Sequence, residues 1–224
     1  HDTVADAGHS GDRPSVTDGG GVDTSNAEGG LGCAIDGALA SGERFVLVGH
    51  RFADEPQTRG TEIRTLSLTR EGVLTDLGVR LDVGFSPRRI AFLGNHYTAV
   101  VMGERGELVT VNVQCDSMRV VDRVQLDGGG FADIAVHPEG GLVFALNKDP
   151  SPSGGVYTLG VSDEGALEIK GEPFVLRLPQ AIALYPGTPL RALLVGGQAM
   201  FDPIDNNDVR VIEFDGARWF QRTE

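Results

Sequence analysis

The stretch FADIAVHPEGGLVFALN, residues 131–147, decides the fold. One short apolar run ends at Val136, the turn His137-Pro138-Glu139-Gly140 follows, and a second apolar run closes on Asn147. Short apolar runs joined by Pro and Gly read as a β-hairpin. Beyond it, GVYTLGVS from Gly155 alternates as a half-exposed strand does. Glu164-Gly165 then turns the chain into a more polar segment from Ala166. Four strands joined in this way make one antiparallel sheet.

The same order recurs along the chain. SPRRIAFLG (86–94) and LPQAIALYPG (178–187) match the opening run, and their central residues Ile90, Ile134 and Ile182 are spaced 44 and 48 apart. LGCAIDGALASG, centred on Ile35, supplies a fourth copy. RFVLVGH from Arg44, YTAVVMG from Tyr97 and RALLVGG from Arg191 repeat the second run. EIRTLSLT from Glu62, ELVTVNVQ from Glu107 and DVRVIEFD from Asp208 repeat the third, with Ile63, Leu108, Val156 and Val209 in register. Closing strands begin near Val73, Ser117, Ala166 and Ala217.

Four strands repeated at this period, graded from apolar to polar, read as the blades of a β-propeller. The expected fold is therefore all-β, with four four-stranded antiparallel blades at about 31–84, 85–129, 130–176 and 177–224. In each, the first strand is expected to line the axis and the last to face solvent. The last closing strand, Trp219 to Glu224, is shorter than its counterpart from Leu74 to Gly84. An open end leaves an apolar blade face and an unpaired edge exposed, so either the four blades close into a small ring or, as the short ending favours, they are the front part of a larger one.

The turn and hairpin motifs also resemble a known family. Ile134, Ala135, His137, Pro138, Glu139 and Gly140, then Asn147, and the Gly-x-Leu hairpins Gly165-x-Leu167 and Gly72-x-Leu74 are similar to the seven-bladed lactonase-type propellers. These are the 6-phosphogluconolactonase-like and Tyr-Val-Thr-Asn repeat proteins. Glu139 stands where that pattern has Asp. The resemblance covers residues 31–224 and implies blade structure. The family holds enzymes and non-enzymes, so it does not by itself carry an activity.

Residues 1–30 are of another kind. Asp2, Asp6, Asp12, Asp18, Asp23 and Glu28 face one Arg13, and the bulky apolar residues are three valines. Such a segment buries too little apolar surface to offset the entropy of ordering it, so a disordered acidic leader is expected. Its Gly, Asp, Ser and Thr content resembles the tethers of bacterial lipoproteins, with the lipidated cysteine upstream of this chain. Residue 1 is His, which reads as a mature form or a fragment. An extracytoplasmic location (periplasmic, cell-surface or secreted) follows as an expectation. A formal net charge of −13 and scattered basic residues, with Arg88-Arg89 the densest pair, argue against nucleic-acid binding. No apolar run is long enough to span a membrane as a helix.

Loops between second and third strands are where a propeller usually places function, because a rigid scaffold positions them. Three are long: His50 to Gly60, Asn147 to Gly154 and Gly197 to Asn207. The fourth, Gly103 to Gly106, is short. His50, with Asp54 and Glu55 behind it, suits a general base that activates water on a lactone carbonyl. Arg51, Asn147, Lys148 and Asp149 are candidate ligand contacts on the same end. Asp202, Asp205, Asn206 and Asp208 cluster hard oxygens of the kind Ca²⁺ accepts, although Asp and Asn also serve as plain turn formers. Calcium is the one cofactor this suggests. Cys33 on an inner strand and Cys115 in a hairpin of the next blade are expected to lie too far apart for a disulfide. Two readings of function stand: a binding or scaffold module for an unknown small molecule or protein, and a hydrolase acting on a sugar lactone.

Overall fold

The computed structural model describes residues 43–49, 60–94, 97–149, 154–176, 178–196 and 209–221. The chain divides into two units, 1–31 and 32–224, and every described residue lies in the second. The leader and the segment around Ile35 lie outside the described residues. What is described is all β.

Four antiparallel sheets follow one another along the chain. The first holds β1 (Arg44–Gly49), β2 (Glu62–Leu68) and β3 (Leu74–Asp82). The second holds β4 (Pro87–Phe92), β5 (Thr98–Gly103), β6 (Glu107–Val113) and β7 (Met118–Gln125). The third holds β8 (Phe131–Val136), β9 (Leu142–Asn147), β10 (Gly155–Val161) and β11 (Leu167–Ile169), with β12 (Phe174–Val175) returning to the start of β10. The fourth holds β13 (Pro179–Tyr185), β14 (Leu190–Gly196), β15 (Val209–Phe214) and β16 (Trp219–Gln221). Strands pair in sequence order; the first sheet shows three of its four expected strands, the third has a fifth, and the closing strands start within two residues of their expected positions.

The third blade gains its fifth strand through Gly155. A Cβ there would lie 2.0 Å from the Phe174 carbonyl oxygen, so only glycine admits this approach. The turn at His137 forms as its motif implies: the His137 N–H donates to Leu142 O at 2.9 Å, and the Glu139 N–H donates to the His137 Nδ1 at 3.1 Å.

Burial differs from the expected grading. The middle strands β5, β6, β9 and β10 are buried almost throughout, whereas the first strands β4, β8 and β13 are partly exposed. Middle strands are covered by other blades on both faces, and first strands have less of the neighbouring sheets over them. Each blade thus has a front face toward the next blade and a rear face toward the previous one. Ile63, Leu108 and Val156 hold the same register position and face front, buried in three successive cores. Two residues on, Thr65, Thr110 and Thr158 are buried as well. The Thr65 hydroxyl donates to Met118 Sδ at 2.9 Å, and the Thr110 hydroxyl donates to Gly165 O at 2.5 Å in the next blade.

Between the third and fourth blades the core is aromatic. Phe144 meets Trp219 at 4.8 Å and Phe214 at 5.4 Å between ring centroids, both edge to face. Near the axis, Asp133 of β8 accepts from Arg89 Nε of β4 at 3.0 Å and from the Ile182 N–H of β13 at 3.2 Å. One carboxylate therefore ties three blades.

The cysteine expectation is corrected. Cys115 is disulfide-bonded, and Cys33 is the chain's other cysteine. The expectation of no disulfide rests on the repeat alignment, which sets Cys33 on an inner strand of the first blade; Cys33 itself lies outside the described residues.

Two outcomes are expected. Phe144→Ala should lose about 3–5 kcal/mol in urea unfolding, because the cavity it leaves is walled by rigid rings. The intact chain should show no titratable thiol under denaturing, non-reducing conditions. Cys115→Ser should unfold about 2–4 kcal/mol more easily.

Candidate functional site

Because strands alternate in direction, the blade-to-blade connections and the loops between second and third strands share one end of the sheets. Among the described residues this end is built on the shortest loop, Glu104–Gly106, between β5 and β6. Gly106 has φ +87°, and a Cβ there would lie 2.6 Å from the Leu126 carbonyl oxygen, so the turn requires glycine. Both sides hold the loop still. The Glu104 carbonyl accepts from the Gly130 and Phe131 N–H groups at 2.9 Å each, and the Gly106 carbonyl accepts from the Leu126 N–H at 2.9 Å. The Gln125 amide donates to the Arg105 carbonyl at 2.7 Å.

A cavity of about 270 Å³ opens beside it, lined by Gly84, Phe85, Ser86, Pro87, Arg88, Glu104, Arg105 and Glu107. Arg88 pairs with the Glu104 carboxylate at 3.2 Å, and the Arg105 N–H donates to the Glu107 carboxylate at 2.9 Å. The Arg88 Nε is buried and has no hydrogen-bond partner. The connection 83–86 is fixed in turn. The Gly84 N–H donates to Asp82 Oδ1 at 2.8 Å, and the Arg123 guanidinium donates to Val83 O at 2.7 Å. That Gly84 bond, with help from the Thr61 hydroxyl and the Arg123 charge, holds the Asp82 carboxyl below its ordinary value.

A second polar group adjoins the loop through Gly130, whose carbonyl accepts from the Lys148 N–H at 3.2 Å. Asn147 is fully buried, and its Oδ1 accepts from the Asp149 N–H at 2.9 Å. The Tyr157 hydroxyl donates to the Asp127 carbonyl at 3.0 Å and also bonds the Asn147 side chain. Burial pushes the Tyr157 hydroxyl above its ordinary pKa; the Asn147 bond opposes this, and Asp127, Asp149 and Glu172 add to it.

The sequence candidates divide accordingly. Asn147, Lys148 and Asp149 lie together, joined to the 104–106 loop, with Asn147 acting as a structural clamp. His50, Arg51, Asp54 and Glu55 lie outside the described residues, as do the calcium candidates Asp202, Asp205, Asn206 and Asp208. Among the described residues no group of three or more His, Cys, Asp or Glu could hold a metal. Arg88, Glu104, Arg105 and Glu107 escaped the sequence reading, which weighed long insertions above short ones. The signal was the brevity of Gly103–Gly106 next to the Arg88-Arg89 pair. Chemically, the cavity offers guanidinium donors and partly occupied carboxylate acceptors, a set suited to carboxylate and hydroxyl groups.

No family model and no curated protein matches the chain. Solved structures do match it. A Lactobacillus plantarum protein shares 15% identity over 74% of this chain and 49% of its own, with a TM-score of 0.60. A putative 6-phosphogluconolactonase from Bacteroides fragilis shares 18% over 72% and 48%, with a TM-score of 0.59. A periplasmic gluconolactonase from Pseudomonas aeruginosa shares 17% over 76% and 50%, with a TM-score of 0.53. The chain spans about half the length of these structures. It has the β-propeller fold, and lactonase-type propellers are among its structural neighbours.

The raised Tyr157 value sets an alkaline limit. The neutral hydroxyl is favoured in the folded state, so its contribution is complete below the unfolded value near 10 and is lost as pH rises through the higher folded value. The chain should lose stability above pH 10 more steeply than Tyr157→Phe, by urea midpoints at successive pH values. At pH 7 the substitution should cost about 1 kcal/mol.

Proposed function

We propose that the chain is an extracytoplasmic β-propeller binding module for a small, hydroxyl-rich carboxylate such as a sugar acid. The observation that carries this reading is the Arg88 guanidinium. It lines the 270 Å³ cavity, gives one donor to Glu104 and keeps a buried Nε with no partner. The partly exposed guanidinium offers a ligand carboxylate a charge-assisted bond, which is worth more than a neutral one. The volume lies at the small end for ligand sites, which suits a single sugar unit rather than a peptide. The disulfide at Cys115 supports an oxidising compartment, in keeping with the tether-like composition of residues 1–30.

The second reading is hydrolysis of a sugar lactone. It is favoured by the fold shared with the putative 6-phosphogluconolactonase and the periplasmic gluconolactonase. His50 is its general base, with Asp54 and Glu55 as its partners. The likeness is one of fold alone, so the binding reading ranks first.

Calorimetric titration with gluconate separates the two when paired with a proton-release assay on glucono-δ-lactone. The binding reading expects heat with gluconate that falls at least tenfold in affinity in Arg88→Ala, and no lactone turnover above the uncatalysed rate. Turnover abolished by His50→Ala in a folded protein establishes the hydrolase instead. Gluconate affinity unchanged in Arg88→Ala removes the proposed site.

A further inference from the structure

In the first strand of the second blade, Pro87 pairs with Gly103 and Arg89 with Met102, so Arg88 is an extra residue, a β-bulge, in β4. A bulge bends its strand and re-aims the extra side chain, here into the cavity beside Glu104. The same bulge stands in β8, between Phe131 and Asp133, and in β13, between Pro179 and Ala181. The extra residues there are Ala132 and Gln180, so of these three strands only β4 uses the bulge to present a charge.

In β4 the next residue also braces the bulge. Arg89 Nη1 donates to the Arg88 carbonyl at 3.2 Å, and Arg89 Nε donates to Asp133 Oδ1 at 3.0 Å. Asp133 Oδ2 in turn accepts from the Ile182 N–H at 3.2 Å. The residues that follow the bulge in β8 and β13 are Asp133 and Ala181, and neither a carboxylate nor a methyl group can donate to a bulged carbonyl. The bulge therefore forms without such a bond. In β4 the bond is free for another task, which is to hold the peptide that carries Arg88.

We propose that Asp133 and Arg89 are positioning residues for the Arg88 site. Asp133 is anchored on the main chain of β13 and orients the Arg89 guanidinium. The planar fork of that guanidinium gives one donor to the carboxylate and another to the Arg88 carbonyl. This fixes the bulged peptide, and with it the direction in which Arg88 meets Glu104 and a bound carboxylate. A binding group has to be held within about 0.5 Å of its productive place by supporting bonds of this kind. The assignment rests on the Arg88 cavity being a carboxylate site. A cavity in the second blade thus takes its geometry from the third and fourth.

Calorimetric titration of the intact chain with gluconate tests this in Asp133→Asn, Arg89→Lys and the double variant. Asp133→Asn keeps an acceptor for the Ile182 N–H but loses the charge that orients Arg89. Arg89→Lys keeps the positive charge but loses the fork. Each should bind gluconate about threefold or more weakly than wild type, as one lost supporting hydrogen bond implies, with unchanged circular dichroism. The double variant should be no weaker than the weaker single one, because both act through the same bond. Charge alone predicts the opposite sign for Asp133→Asn, since removing a negative group favours an anionic ligand. Gluconate affinity unchanged or raised in Asp133→Asn, or losses that add in the double variant, overturns the positioning and leaves the Arg88 site standing. No gluconate binding by the wild type removes the site and the positioning with it. Should Asp133→Asn fail to fold, Arg89→Lys decides alone, since its side chain is half exposed.

Discussion

Everything described in this protein depends on the burial of one blade's front face in the rear face of the next. A lone four-stranded sheet has two faces and no core of its own, so its apolar positions are satisfied only by stacking. The register shows how strictly this is imposed. Ile63, Leu108 and Val156 recur at one position and threonines at the next front-facing one, so each interface reuses the same geometry with different side chains. The Thr65 and Thr110 hydroxyls find acceptors across the interface in Met118 and Gly165, which avoids the cost of an unpaired polar group.

The cavity end inherits its rigidity from that stacking. Glu104, Gly130 and Lys148 belong to loops of two adjacent blades, and main-chain hydrogen bonds join them only because the blades beneath are in fixed register. Arg88 enters at the start of β4, with Pro87 and Phe85 buried beside it. The Arg123 and Asp82 contacts hold the connection that forms the cavity's far wall. The cavity's polar groups are thus placed by core packing.

The fold was legible because the third strands alternate. A period-two pattern reveals which face each residue occupies, and the register of Ile63, Leu108, Val156 and Val209 matches the strand pairing. Second strands were less legible, since they are apolar on both faces. Aligned by first residue, RALLVGG sets Leu194 against Phe144, whereas the pairing sets Leu193 there and turns Leu194 to the opposite face. The site was legible only in part. Asn147 was visible as a strand end, but its clamp to Tyr157 joins residues on two strands whose pairing no local pattern reveals. The Arg88 cavity depends on a loop being short, and a missing insertion leaves no motif. Repeat spacing argued against a disulfide, yet Cys115 is disulfide-bonded.

Amide hydrogen exchange on the intact chain tests the stacking account most directly. Strands gripped on both faces open only when blades separate, so the slowest amides should lie in β5, β6, β9 and β10. β15 should exchange faster despite pairing on both sides, because its front face is less covered. Protection that follows strand pairing alone, with β15 as slow as β6 and β10, would contradict interblade burial as the constraint that holds the structure.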